Sequence, residues 1–223
     1  MPDTSAGSLK HEIESYLEQE DYEGLSALKR GKGLLARTLV GMAYEKADLI
    51  SWRAIDAIGR IAALMEPGKK RTFVQRVLWM MREESGNNAW TGAEILGEIV
   101  ARDPGPNEDI APIVISFHDE LIFRAGSLRA LARIAGVRPD LAEAFRDVPA
   151  QYLSDPDPAV RGYAVLALIA LGINDNRDAL EKAASDNDEF LLYEDGRLES
   201  VAVGALAQRA LGGDWQERGS AVS

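Results

Sequence analysis

Two tryptophans each stand four residues before a carboxylate, Trp52 with Asp56 and Trp90 with Glu94. Four residues is just over one helical turn, so on helices each pair shares a face. An indole beside an acid suits an apolar group that carries positive charge: the ring takes the hydrocarbon and attracts the cation, and the carboxylate selects the sign. Arg53 and Arg129 are expected to pair with these acids. The polar run Met81 to Asn88, with Glu83 and Asn88, lies between Trp79 and Trp90 and adds hydrogen-bonding groups at the edge of the same surface. The candidate partner-binding set is therefore Trp52, Arg53, Asp56, Glu83, Asn88, Trp90, Glu94 and Arg129. A plainer reading stands beside it, in which the indoles wedge between helices and Gly86-Asn87-Asn88 only makes a turn.

Other chemistry is sparse. His11 and His118 are the only histidines and lie far apart, so a metal site built on both is not expected. His118-Asp119-Glu120 reads as a helix end, and the acids Asp186, Asp188, Glu189, Glu194 and Asp195 lack the ordered spacing of a calcium loop. They are expected in a solvated loop, with Phe190 to Tyr193 tucked against the last helices. Gly31-Lys32-Gly33 is too short for a phosphate-binding loop. The absence of cysteine excludes disulfides and thiolate ligands, and no catalytic, metal-binding or cofactor-binding residue is assigned.

What positions these residues is a repeat. Ile58, Leu96, Leu131, Leu168 and Leu206 recur at steps of 38, 35, 37 and 38 within similar apolar, Ala/Leu-rich segments. Such a period marks a helical solenoid, in which only neighbouring units bury each unit's apolar face. Aligned rows place Ile55, Ala93, Leu128, Val165 and Val203 inside, and likewise Ile61, Ile99, Ile134, Leu171 and Arg209. Helices are expected over 8–21, 34–46, 49–65, 70–84, 89–102, 108–120, 121–136, 139–154, 159–172, 177–185 and 197–212. Residues 1–47 form a helical cap, 48–213 the repeats, and 214–223 a flexible tail, all in one domain.

One unit is clearest. Asp155-Pro156-Asp157-Pro158-Ala159-Val160-Arg161, then Ala164, Ala167-Leu168 and Gly172, resembles the HEAT-like repeat of proteins related to phycobilisome-lyase repeats. Pro156 and Pro158 stop one helix, Asp157 caps the next, and Ala164 and Ala167 allow close approach. The segment from Leu78 to Pro104 is similar to one in a group of small bacterial HEAT-repeat proteins. The resemblance implies an all-α fold, a right-handed α-α superhelix of about five helix pairs behind the N-terminal cap. The likeness of residues 78–104 adds no activity to this.

A formal net charge of −11 disfavours broad attraction to phosphate backbones or anionic lipid. The longest apolar run, 164–173, is short of the ~20 residues that cross a bilayer. The polar, acidic start lacks the apolar core of a signal peptide, so a cytoplasmic location is expected. The expectation is a non-enzymatic scaffold offering an acidic, aromatic groove to a basic or amphipathic peptide or protein. Two alternatives remain. Basic clusters at Lys29, Arg30, Lys32 and at Lys69, Lys70, Arg71 could mark a DNA-binding or DNA-repair protein, and the repeat resemblance could imply an accessory or lyase-type factor for a tetrapyrrole.

Overall fold

The structure, a computed structural model, describes residues 4–82, 90–172 and 175–212, and these are mostly helical. The chain opens with α1 (Thr4–Glu18), α2 (Tyr22–Ala27) and α3 (Lys32–Val40). It continues through α4 (Leu49–Ala63), α5 (Pro67–Arg82), α6 (Gly92–Arg102), α7 (Ile110–Ser116), α8 (Arg124–Ala135), α9 (Pro139–Ala142) and α10 (Pro158–Ala170). It closes with α11 (Arg177–Ala183), β1 (Glu189–Glu194), β2 (Arg197–Ala202) and α12 (Val203–Leu211). Local chemistry sets the main starts. The Asp48 carboxylate accepts from the Ile50 and Ser51 amides at 3.2 and 3.0 Å and so caps α4. Asp157 caps α10 through the Ala159 amide at 2.8 Å, with Pro158 in the first turn, where its missing N–H leaves no bond unmade.

The helices α4, α6, α8, α10 and α12 form a row in which each packs on the next. Ile58, Leu96, Leu131, Leu168 and Leu206 are fully buried along it, and Ile55, Ala93, Leu128, Val165 and Val203 are buried beside them. They belong to a continuous apolar cluster reaching from Leu9 in α1 to Ala210 in α12. Small residues let these helices close up: a Cβ on Gly97 would run into Ala130 of α8, backbone included. Among the described residues no helix is long and apolar enough to cross a membrane.

Three expectations need correction. Residues 139–154 are not one helix but α9 followed by short 3-10 turns, Glu143–Phe145 and Pro149–Tyr152. Pro149 has no N–H to donate and its ring blocks a helix running through it. Arg209 is exposed near the end of α12 and not interior, whereas Ile61, Ile99, Ile134 and Leu171 in its row are buried. The largest change is at 186–202, where a loop and a helix start were expected and an antiparallel hairpin stands. Asp195 and Gly196 have φ of +50° and +78°, the left-handed pair of a tight two-residue turn, and Glu194 pairs with Arg197 across it. The expected tail at 214–223 lies outside the described residues.

Replacing Gly97 by alanine should lower stability by about 1–3 kcal/mol through overpacking against α8. Gly68→Ala, where a Cβ meets nothing within 4 Å, is the control and should be close to neutral. Urea denaturation of both variants checks this; equal stabilities would contradict the close approach.

Candidate functional site

The hairpin lies against α4, held by Arg53. The buried guanidinium donates through Nη1 to the Leu17 and Glu18 carbonyls, each at 3.0 Å, and through Nε and Nη2 to the Gly196 carbonyl at 3.2 and 3.1 Å. Nη2 also bonds the Glu20 carboxylate. Next to it, the Trp52 ring stacks on Tyr193 with centroids 5.7 Å apart, its Nε1 donates to the Lys46 carbonyl at 2.9 Å, and the Arg129 guanidinium sits 5.0 Å from its centre. The Tyr193 and Tyr22 hydroxyls are 3.4 Å apart. Burial pushes the Tyr22 hydroxyl up to about 12 and raises that of Tyr193 as well, so both stay neutral. At the other end Phe190 meets Tyr163 edge-on at 5.4 Å and occupies the space over Gly162, where a Cβ would strike its ring. Arg161 secures the approach to the hairpin, donating to Asp186 at 2.7 Å, to Asp188 at 2.5 Å and to the Asp155 carbonyl at 2.7 Å.

Beside the hairpin, α4, α6, α8 and α10 bound a cleft of about 1200 Å³. Its floor is a ladder of charges. Asp56 of α4 accepts from Arg60 at 3.4 and 3.5 Å and from Arg102 of α6. Glu98 of α6 accepts from Arg129 of α8 at 2.9 Å and from Arg133 at 3.0 and 3.1 Å, with Arg102 Nε 3.7 Å away. Four guanidiniums thus share two carboxylates. Burial alone would raise the Glu98 carboxyl, but the charges of Arg133, Arg129 and Arg102 and the hydrogen bonds from Arg133 outweigh it and hold it down at about 2. Val137, Leu166 and Ile169 supply an apolar wall.

Most of the sequence-derived candidates are already engaged within the protein. Trp52, at 2% exposure, does not face an open groove, because the turn at Asp195-Gly196 folds the hairpin over it. Asp56 is half-buried in the ladder. Arg53 pairs with Glu20 and Arg129 with Glu98, not with Asp56 and Glu94 as expected. Glu94 is 1% exposed and bonds Lys46 at 2.7 Å, joining the segment before α4 to α6. Trp90 stands in the turn before α6 at 56% exposure, so it and Trp52 are not a repeated pair on one face. Glu83 and Asn88 lie outside the described residues. Sequence reasoning assigned no role at this site to Arg60, Glu98, Arg102 and Arg133, and Tyr193, expected against the last helices, stacks instead on Trp52 of α4.

The other groups considered from the sequence are engaged as well. His118 Nδ1 lies 2.8 Å from the Tyr152 hydroxyl, and its ring packs on Phe145 and Tyr152. Among the described residues no cluster of three His, Cys, Asp or Glu could hold a metal ion. The basic cluster at 69–71 lies within the start of α5 and is paired, with Lys69 on Glu66 at 3.0 Å, Lys70 on Asp103 and Arg71 on Asp109 at 2.9 Å. No protein-family model matches the chain, and neither curated proteins nor solved structures show a significant match to it.

The depressed Glu98 carboxyl contributes stability that is fully present above its unfolded value of about 4.5 and is lost as pH falls towards 2. Wild-type unfolding free energy should drop by about 3 kcal/mol from this group over that window. Glu98→Gln should be less stable at pH 7 and lose less on acidification, measured by urea titration at successive pH values. An equal acid slope in the two proteins would contradict the charge ladder.

Proposed function

We propose that this chain is a non-enzymatic interaction protein: a HEAT-like, right-handed α-solenoid whose cleft receives a segment of a protein partner. The aligned burial of equivalent residues in α4, α6, α8, α10 and α12 supports the repeat architecture. The observation that carries the functional reading is the cleft itself. It is large enough for several side chains, and its charged floor is already ordered by ion pairs within the protein. Binding there immobilises few new side chains, which favours affinity.

The partner chemistry follows from what is left open. The aromatic, acidic half expected to recognise a basic peptide is covered by the chain's own hairpin at Trp52. The open part offers Arg60 and Arg133 beside Val137 and Leu166. An amphipathic segment fits, with apolar side chains on Val137 and Leu166 and acidic ones towards the guanidiniums. The basic cluster at the start of α5 gives little to a nucleic-acid reading, since each cation there faces a carboxylate.

A photo-crosslinking amino acid placed at Val137 in the native cell should yield one discrete protein adduct. The same probe at Glu66, an exposed site away from the cleft, should not. No adduct from Val137, or the same adducts from both positions, would overturn the proposal.

A further inference from the structure

We infer that the floor of the cleft is a binding site for an oxyanion, a carboxylate or phosphate group received by the guanidiniums of Arg60, Arg102 and Arg133. The inference rests on reading the cleft as a recognition surface, but it does not require the ligand to be a protein. The first support is the inequality of the ladder. Arg60, Arg102, Arg129 and Arg133 meet Asp56 and Glu98, so cation exceeds anion on the floor. Each guanidinium carries five N–H donors in a fixed fork suited to paired oxygens.

The second support is what the ladder leaves unbonded. Arg102 Nε and Arg129 Nη1 are buried and have no hydrogen-bond partner. The two Arg60 bonds to Asp56 are long, at 3.4 and 3.5 Å. Buried donors without acceptors are costly, and the residues that carry them line the cleft. Arg60 is steadied from behind by the Tyr22 ring, 4.4 Å from its guanidinium carbon.

The third support is the order of exposure. The Arg60 and Arg133 side chains are 41% and 44% exposed, whereas those of Asp56 and Glu98 are 13% and 4%. An incoming group therefore meets guanidinium before carboxylate. The depressed Glu98 carboxyl, held down against its own burial, reports the same positive field. The rim offers competition. Glu20 is bound by Arg53 and Asp175 by Arg146, while Glu194 at the hairpin end acts electrostatically on Arg133, with Asp195 next to it. Glu194 thus lines the cleft as a negative charge that opposes an incoming anion.

Titration calorimetry on the full chain at fixed ionic strength tests this, using inorganic phosphate, succinate and a peptide of alternating Glu and Leu. Saturable binding is expected for at least one of the three. Arg133→Gln should weaken it by about tenfold, as loss of a charge-assisted fork would. Arg60→Gln should also weaken it, and Glu194→Gln should tighten it severalfold, with circular dichroism unchanged in each. Binding of phosphate or succinate assigns the source to a free small anion; binding of the peptide alone assigns it to acidic side chains of a macromolecule. Absence of saturable binding by all three, or equal affinities in wild type and the three variants, overturns the inference. Variant-sensitive anion binding without an adduct at Val137 would leave the oxyanion site standing and remove the protein partner. An adduct at Val137 with no anion response would do the reverse.

Discussion

One buried guanidinium holds the two ends of this fold together. Arg53 satisfies its donors on the end of α1, on Glu20 just beyond it and on the Gly196 carbonyl in the hairpin turn. A buried cation deprived of its partners costs several kcal/mol, so the hairpin cannot leave α4 without exposing or stranding that charge. The hairpin side of the cleft follows from this tie. The hairpin covers Trp52, places Tyr193 against Tyr22 and sets Glu194 near Arg133. The surface available to a ligand is what the hairpin does not occupy.

The second constraint is electrostatic and runs between helices. Residues 60, 98 and 133 each stand two places after Ile58, Leu96 and Leu131 on α4, α6 and α8, and read Arg, Glu, Arg. Packing of α4, α6 and α8 converts that alternation into contacts, because Glu98 faces Arg133 across one interface and, through Arg102 and Asp56, reaches Arg60 across the other. Buried charges of this kind add little net stability against an apolar alternative, but they penalise any slip of one helix past the next. The apolar rows supply most of the driving force, and the ladder fixes how the units line up.

Much of the architecture could be read from the chain because it depends on local periodicity. The Ile58 register names buried residues on five helices, with Arg209 of α12 the exception, and Asp48 and Asp157 mark helix starts by an ordinary capping geometry. The site was less legible. Trp52 and Arg53 carry no mark of burial beneath a segment more than a hundred residues away, since that contact is made only once the hairpin folds back. The hairpin did leave a signal in Asp195-Gly196 after the apolar run Phe190 to Tyr193, but β2 carries only Leu198 and Val201 as large apolar residues, and the Ala/Leu pattern beyond Val203 favours a helix that reaches back over it. The charge ladder was equally present in the alignment. Its meaning appears only when the rows are compared for sign as well as for hydrophobicity.

The most direct measurement is amide hydrogen exchange over 189–202 in wild type and in Arg53→Leu. Wild type should protect the cross-strand amides of the hairpin nearly as well as those of α4. The variant should lose protection in the hairpin and in α2 while α8 and α10 keep theirs. Rapid exchange of the hairpin in wild type, or unchanged protection in the variant, would contradict the covering of α4 by the hairpin and, with it, the boundaries of the cleft.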